Sequence, residues 1–138
     1  MSEESTTPDL VELARQAMEA TNRGDIDPLL SLYAADAVYV TEGLGRFEGL
    51  PAIRGFIEEF RGSFDTFVFE VQEVLDFGNG IIYGRQLITG RLHGSDGDVS
   101  MPSGWVLTFN DGLIARCASY KDPDEARADA ERLAGERR

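Results

Sequence analysis

The second half of this chain constrains its fold more than any other feature. Phe67, Phe69, Val71, Leu75 and Phe77 alternate with Val68, Glu70, Gln72, Val74 and Asp76, the period-two pattern of a strand with one buried face. Gly78-Asn79-Gly80 turns the chain, Ile81 to His93 reads as a long strand, and Gly94-Ser95-Asp96-Gly97 turns it again. Val99 to Phe109 follows, with Pro102 implying an edge or a bulge. Asn110-Asp111-Gly112 is a hairpin signal leading into a last strand, Leu113 to Tyr120. Strands joined by turns this short form an antiparallel meander. Mid-strand glycines at 84, 90 and 104 imply that it bends strongly.

Helices precede the meander. Leu10, Leu13, Ala14, Ala17 and Met18 fall on one face of a 3.6-residue period, with Thr7 as cap, Pro8 at the first helical position and Gly24 as the stop. A short second helix is expected with Asp27 as cap and Pro28 first, turning Leu29, Leu30, Leu32 and Tyr33 inward. Val38-Tyr39-Val40-Thr41 reads as a strand, Gly43, Gly45 and Gly49 as a loop, and Ile53, Phe56, Ile57, Phe60 and Phe64 as the stripe of a third helix. Asp122-Pro123-Asp124-Glu125 opens a short C-terminal helix. The order α-α-β-α-β-β-β-β-α predicts an α+β fold in which helices cover one face of a curved antiparallel sheet. Such a cone is open at one end, a natural small-molecule pocket. Residues 9–134 read as a single domain, with tails at 1–8 and 135–138.

Composition narrows the function. The chain has 138 residues, 13 Lys plus Arg and 25 Asp plus Glu, for a net charge of −12 at pH 7. A chain so acidic lacks the clustered basic surface that nucleic acid requires, and anionic membranes repel it. One cysteine, Cys117, excludes an intramolecular disulfide and a cysteine-based zinc site, and one histidine, His93, excludes a two-imidazole centre. Neither Gly43-Leu44-Gly45 nor Gly78-Asn79-Gly80 has the strand, helix and lysine context of a phosphate loop. No metal and no cofactor is therefore expected. The N-terminus lacks the basic start and apolar core of a secretion signal, so the expected compartment is the cytoplasm.

Three segments carry a family resemblance. Asn22-Arg23-Gly24-Asp25, then Leu32-Tyr33-Ala34-Ala35-Asp36-Ala37-Val38, then Phe47-Glu48-Gly49 resemble the opening of the nuclear transport factor 2-like superfamily, and more narrowly its SnoaL-like, polyketide-cyclase-type branch. Asp111-Gly112-Leu113-Ile114-Ala115-Arg116 and Tyr120-Lys121-Asp122 resemble its last strand and exit. The resemblance implies a cystatin-like α+β cone, homodimers packed sheet to sheet, and any of several chemistries on a small, largely apolar organic molecule: proton transfer, cyclisation or hydration. Set against the ketosteroid isomerases, Thr41 stands at the position of the general-base aspartate, Ala17 at that of the tyrosine donor, and Trp105 at that of the protonated aspartate, so that constellation is absent. Set against the limonene-type epoxide hydrolases, Tyr39 and Arg85 match, but Thr41 replaces the asparagine, and Leu87 and Ser119 replace the two aspartates.

Strand parity supplies the candidate site. Tyr39 and Thr41 share a face, as do Tyr83, Arg85 and Leu87, then Ser103, Trp105 and Leu107, then Cys117 and Ser119. Arg85, in apolar surroundings, pairs with Glu42, with Glu73 or with a ligand carboxylate or enolate, unless it leans to solvent. As catalytic groups, Arg85 and Tyr39 would stabilise a developing oxyanion, with Glu42 as the base. Glu42 is otherwise a solvated loop carboxylate, and Tyr39 otherwise bonds to backbone. Glu73 is a buried base or is turned out by a bulge. Thr41, Tyr83, Leu87, Ser103, Trp105, Cys117 and Ser119 would line the ligand, with Trp105 either stacking on it or filling the core. His93 is expected in solvent and Cys117 to be inert. The alternative to a catalytic pocket is a non-catalytic dimeric sensor or accessory scaffold.

Overall fold

The computed structural model describes residues 9–137. The elements run α1 (Leu10–Arg23), α2 (Ile26–Leu30), β1 (Tyr33–Thr41), β2 (Gly45–Glu48), α3 (Leu50–Gly62), β3 (Phe64–Asp76), β4 (Ile81–Leu92), β5 (Val99–Asn110), β6 (Leu113–Tyr120) and α4 (Pro123–Glu136). None of the described helices is long and apolar enough to cross a membrane.

The helix ends differ in detail from the sequence expectation. Thr7 and Pro8 lie outside the described residues, and the carboxylate of Asp9 caps α1 by accepting from the Glu12 N–H. Gly24 closes α1 at φ 77°, the left-handed conformation in which a side chain would be strained. Helix α2 starts at Ile26 behind Asp25, and it ends at Leu30. Leu32 and Tyr33 are therefore not helical. The Ile114 N–H donates to the Leu32 carbonyl, and this pairing draws the chain straight into β1. The glycine-marked segment after β1 is not a plain loop: Leu44 N–H bonds back to the Thr41 carbonyl, and Gly45–Glu48 returns as a short antiparallel strand. Phe64 opens β3 rather than extending α3, and residues 135–136 belong to α4 rather than to a tail.

The six strands form one sheet in the order β2-β1-β6-β5-β4-β3. The meander from β3 to β6 is antiparallel as expected, but β1 and β6 pair in parallel, so the sheet is mixed. Register shifts between Tyr33 and Val38, Val71 and Glu73, and Thr108 and Phe109 mark the bulges that curve it. On the concave face Ala14, Ala17, Met18, Ile53 and Ile57 of α1 and α3 pack against Ile82, Leu107, Phe109 and Ile114. Helices do not cover that face alone. Helix α4 lies on the opposite face, its Ala126, Ala130 and Ala134 against Ile81, Tyr83 and Val106. Small side chains let it sit close, with Ala126 and Pro123 directly over Gly104.

The concave layer is tied to the sheet by one polar residue. Asn22, at the end of α1, donates to the Phe69 carbonyl at 2.9 Å and accepts the Phe69 N–H at 2.7 Å. Its carboxamide takes the place of a neighbouring strand on the outer side of β3, which ends the sheet.

Candidate functional site

Between the concave face and the helices lies a cavity of about 520 Å³. Strand β1 contributes Tyr33, Tyr39 and Thr41, β6 Cys117 and Ser119, β5 Met101, Ser103 and Trp105, and β4 Gln86 and Ile88. Met18, Thr21, Phe56, Ile57 and Phe60 close it from the helices, and Glu42, Gly43, Leu44, Tyr120 and Lys121 also border it. One wall is aromatic. Tyr39, Phe56, Phe60 and Phe69 border the cavity, with Tyr39 5.2 Å from Phe56 between ring centroids, and Phe47, stacked on Phe56 at 4.5 Å, and Phe67 back this row without lining it.

The polar groups of the deep wall are neutral. Burial pushes the Cys117 thiol up to about 11, while hydrogen bonds from Tyr33 and Tyr39 and the charge of Arg116 oppose the shift. Burial, then the neighbouring Cys117, holds both tyrosines well above the ordinary phenol value. All three keep their protons at neutral pH, which disfavours the thiolate form of Cys117. Trp105 is 2% exposed and Gln86 3% exposed, and the indole N–H donates to the Gln86 Oε1 at 3.0 Å. Trp105 is seated over Gly84: a Cβ there would fall 2.1 Å from the indole Cζ2. The Ser103 hydroxyl is occupied by the Tyr120 carbonyl at 3.2 Å. Arg61 borders the cavity but donates to the Thr21 carbonyl and lies 5.5 Å from the centre of the Phe67 ring, which commits its charge to the frame.

The structure brings together Tyr39, Thr41, Glu42, Ser103, Trp105, Cys117 and Ser119, all bordering this cavity. It does not bring Arg85, Tyr83 or Leu87 to it. The cavity side of β4 carries Gln86 and Ile88, so odd-numbered β4 residues face the other way. Tyr83 is buried beneath α4, and burial raises its phenol. Arg85 pairs at 3.5 Å with Asp124 of α4, a partner not among those expected, and stands opposite Glu73 in the β3–β4 ladder. The shift between Val71 and Glu73 carries Glu73 to this side, away from the cavity lining. Glu42 is exposed, its Oε1 accepting the Lys121 backbone N–H at 2.7 Å. His93 is exposed at the end of β4, 2.9 Å from Asp65.

Sequence reasoning missed Tyr33, Gln86, Ile88, Phe69 and Met101. Tyr33 is expected in a helix, and the expected cavity face of β4 carries Tyr83, Arg85 and Leu87 in place of Gln86 and Ile88. A usable signal was Gly84, whose missing side chain makes room for a large ring on the facing strand. Chemically, the wall offers protonated donors to a ligand oxygen. Among the described residues it holds no buried carboxylate, imidazole or amine with which to abstract a proton.

Comparison with known proteins bears on the fold and the family. Among solved structures, a proposed polyketide cyclase from Sinorhizobium meliloti is 28% identical, with a TM-score of 0.68 over 83% of this chain and 95% of that one. A hypothetical protein of ketosteroid isomerase-like fold from Catenulispora acidiphila, solved with trimethylamine, is 17% identical, with a TM-score of 0.74 over 91% and 94%. TerC, co-crystallised with polyporic acid, is 17% identical, with a TM-score of 0.72 over 88% and 98%. No curated protein matches the chain. Residues 14–117 match the family model of the SnoaL-like domain, and with that match over most of its length the chain belongs to the SnoaL-like family.

Proposed function

We propose that this protein binds a small, flat, largely apolar organic molecule bearing oxygen acceptors, of the aromatic polyketide class, within the cavity described above. The observation that carries the reading is the pairing of an aromatic wall with buried, protonated donors in about 520 Å³. That volume lies within the ~300–1,000 Å³ typical of small-molecule sites. The similarity to a proposed polyketide cyclase supports the same class. The reading is binding rather than turnover. Tyr39 can donate to a ligand oxygen, but the nearest carboxylate, Glu42, is exposed and already accepts a backbone N–H.

The test uses the single tryptophan, Trp105, which borders the cavity. Purified protein is titrated with aromatic polyketides, steroids and terpenoid epoxides while its emission is followed. Saturable quenching by the polyketides is expected, with Arg85→Ala giving the same curve. Unchanged emission with every compound, together with no binding by calorimetry, overturns the reading.

A further inference from the structure

We infer that Gln86 is the residue by which this cavity selects a ligand carbonyl, and that Trp105 fixes it in that role. The inference rests on the ligand-binding reading above and names what the ligand must present. An indole N–H can only donate, so the group it meets at 3.0 Å must be the carboxamide oxygen of Gln86. That contact settles which way the amide faces. Its NH₂ is turned away from Trp105, on a side chain that is 3% exposed and borders the cavity. Among the described residues this NH₂ has no hydrogen-bond partner. A buried amide donor left unmet is costly, and a ligand acceptor would meet it.

The lock is built from the strands. Gly84 and Trp105 are directly opposite in the β4–β5 ladder, and the absence of a Cβ at Gly84 leaves room for the indole. Gln86, two residues along the same face of β4, lies where the indole N–H reaches it. A free carboxamide could rotate and offer either its oxygen or its NH₂. Held by Trp105 its orientation is fixed and its NH₂ is the end left without a partner, so it favours a carbonyl or quinone oxygen over an otherwise identical hydrocarbon.

The experiment compares 9-fluorenone with fluorene, two planar tricyclic molecules that differ by one carbonyl, using equilibrium dialysis read by ultraviolet absorbance. Wild type is expected to bind fluorenone at least about tenfold more tightly than fluorene. Gln86→Leu should bring the two affinities together while fluorene binding stays within about twofold of wild type. Because Gln86→Leu strands the Trp105 N–H, a double variant, Gln86→Leu with Trp105→Phe, removes donor and acceptor together and provides a folded control. Its ratio of affinities should also be near unity. Equal binding of both compounds by wild type overturns the inference and leaves the ligand-binding reading standing. So does a fluorenone preference that survives in Gln86→Leu, which would assign the donor to Tyr33 or Tyr39. A parallel loss of both ligands in the two variants makes Gln86 a matter of shape and likewise overturns it. Failure of wild type to bind either compound overturns the inference and counts against the reading beneath it.

Discussion

Gly84→Ala tests how the cavity wall is assembled. A Cβ on residue 84 would fall 2.1 Å from the Trp105 Cζ2 and 2.2 Å from its Cε2, far inside any real contact. The indole is 2% exposed among packed side chains and cannot simply tilt into solvent. Forcing a methyl group into such a core costs about 1–3 kcal/mol. The displaced ring also loses its bond to Gln86 and strands a buried N–H, a further ~1–3 kcal/mol. The sum is about 2–6 kcal/mol, a large share of the ~5–15 kcal/mol that holds a domain folded. With a urea slope of about 2 kcal/mol/M the unfolding midpoint should drop by about 2 M. Trp105 emission should move to the red in the native baseline. In a Trp105→Leu background the clash partner is gone, so the same Gly84→Ala change should cost less than about 1 kcal/mol, a coupling of about 1 kcal/mol or more. An unshifted midpoint for Gly84→Ala, or an equal penalty in both backgrounds, would refute the reasoning.

Asn22→Ala removes both hydrogen bonds to the Phe69 backbone and should destabilise the fold by about 2 kcal/mol, measured by urea unfolding. Arg85→Ala should change stability by less than about 1 kcal/mol in the same assay, because its ion pair to the exposed Asp124 is solvent-screened. Cys117 should resist a thiol-specific disulfide reagent at pH 8 and react fully once urea unfolds the chain, as followed by absorbance. Its raised pKa also sets an alkaline limit. The unfolded thiol ionises near 9 and the folded one at about 11. The contribution is therefore intact below 9 and is lost as pH rises through that window, by about 3 kcal/mol in all, with Tyr33 and Tyr39 adding to the loss at higher pH. Denaturant midpoints that stay flat from pH 8 to 11 would contradict this.

How much of the site could be read from sequence turned on hairpin parity. Residues opposite each other in a ladder share a face, so the turn length decides whether odd positions meet odd or even ones. In the β5–β6 hairpin Trp105 faces Ser119 and Leu107 faces Cys117, odd with odd, so the shared face expected for Ser103, Trp105, Cys117 and Ser119 is one that borders the cavity. In the β4–β5 hairpin Gly84 faces Trp105 and Arg85 faces Gly104, odd with even, which sends Arg85, Tyr83 and Leu87 away from the cavity. Gly94-Ser95-Asp96-Gly97 announces a turn without saying which pair closes it. The shift between Val71 and Glu73 was equally silent, since an extra residue in a ladder needs no particular side chain. The helices were legible because apolar spacing and glycine stops are local signals. The parallel contact of β1 with β6 was not, because it depends on the path of everything between them.

That contact also governs the order in which the molecule can come into being. Tyr39 stands beside Cys117 and Thr41 beside Ser119 in the β1–β6 ladder, so the donor wall joins an early strand to the last one. The β3–β4 and β4–β5 hairpins can form from neighbouring segments, but β1 has no permanent neighbour except short β2 until β6 arrives. Closing so long a stretch of chain is the slow, entropically costly event in folding. On a ribosome, β1 would wait through the synthesis of most of the domain before its parallel partner emerged. The binding chamber is thus completed by a late, long-range step, and a species that has stopped before that step carries hairpins but no donor wall.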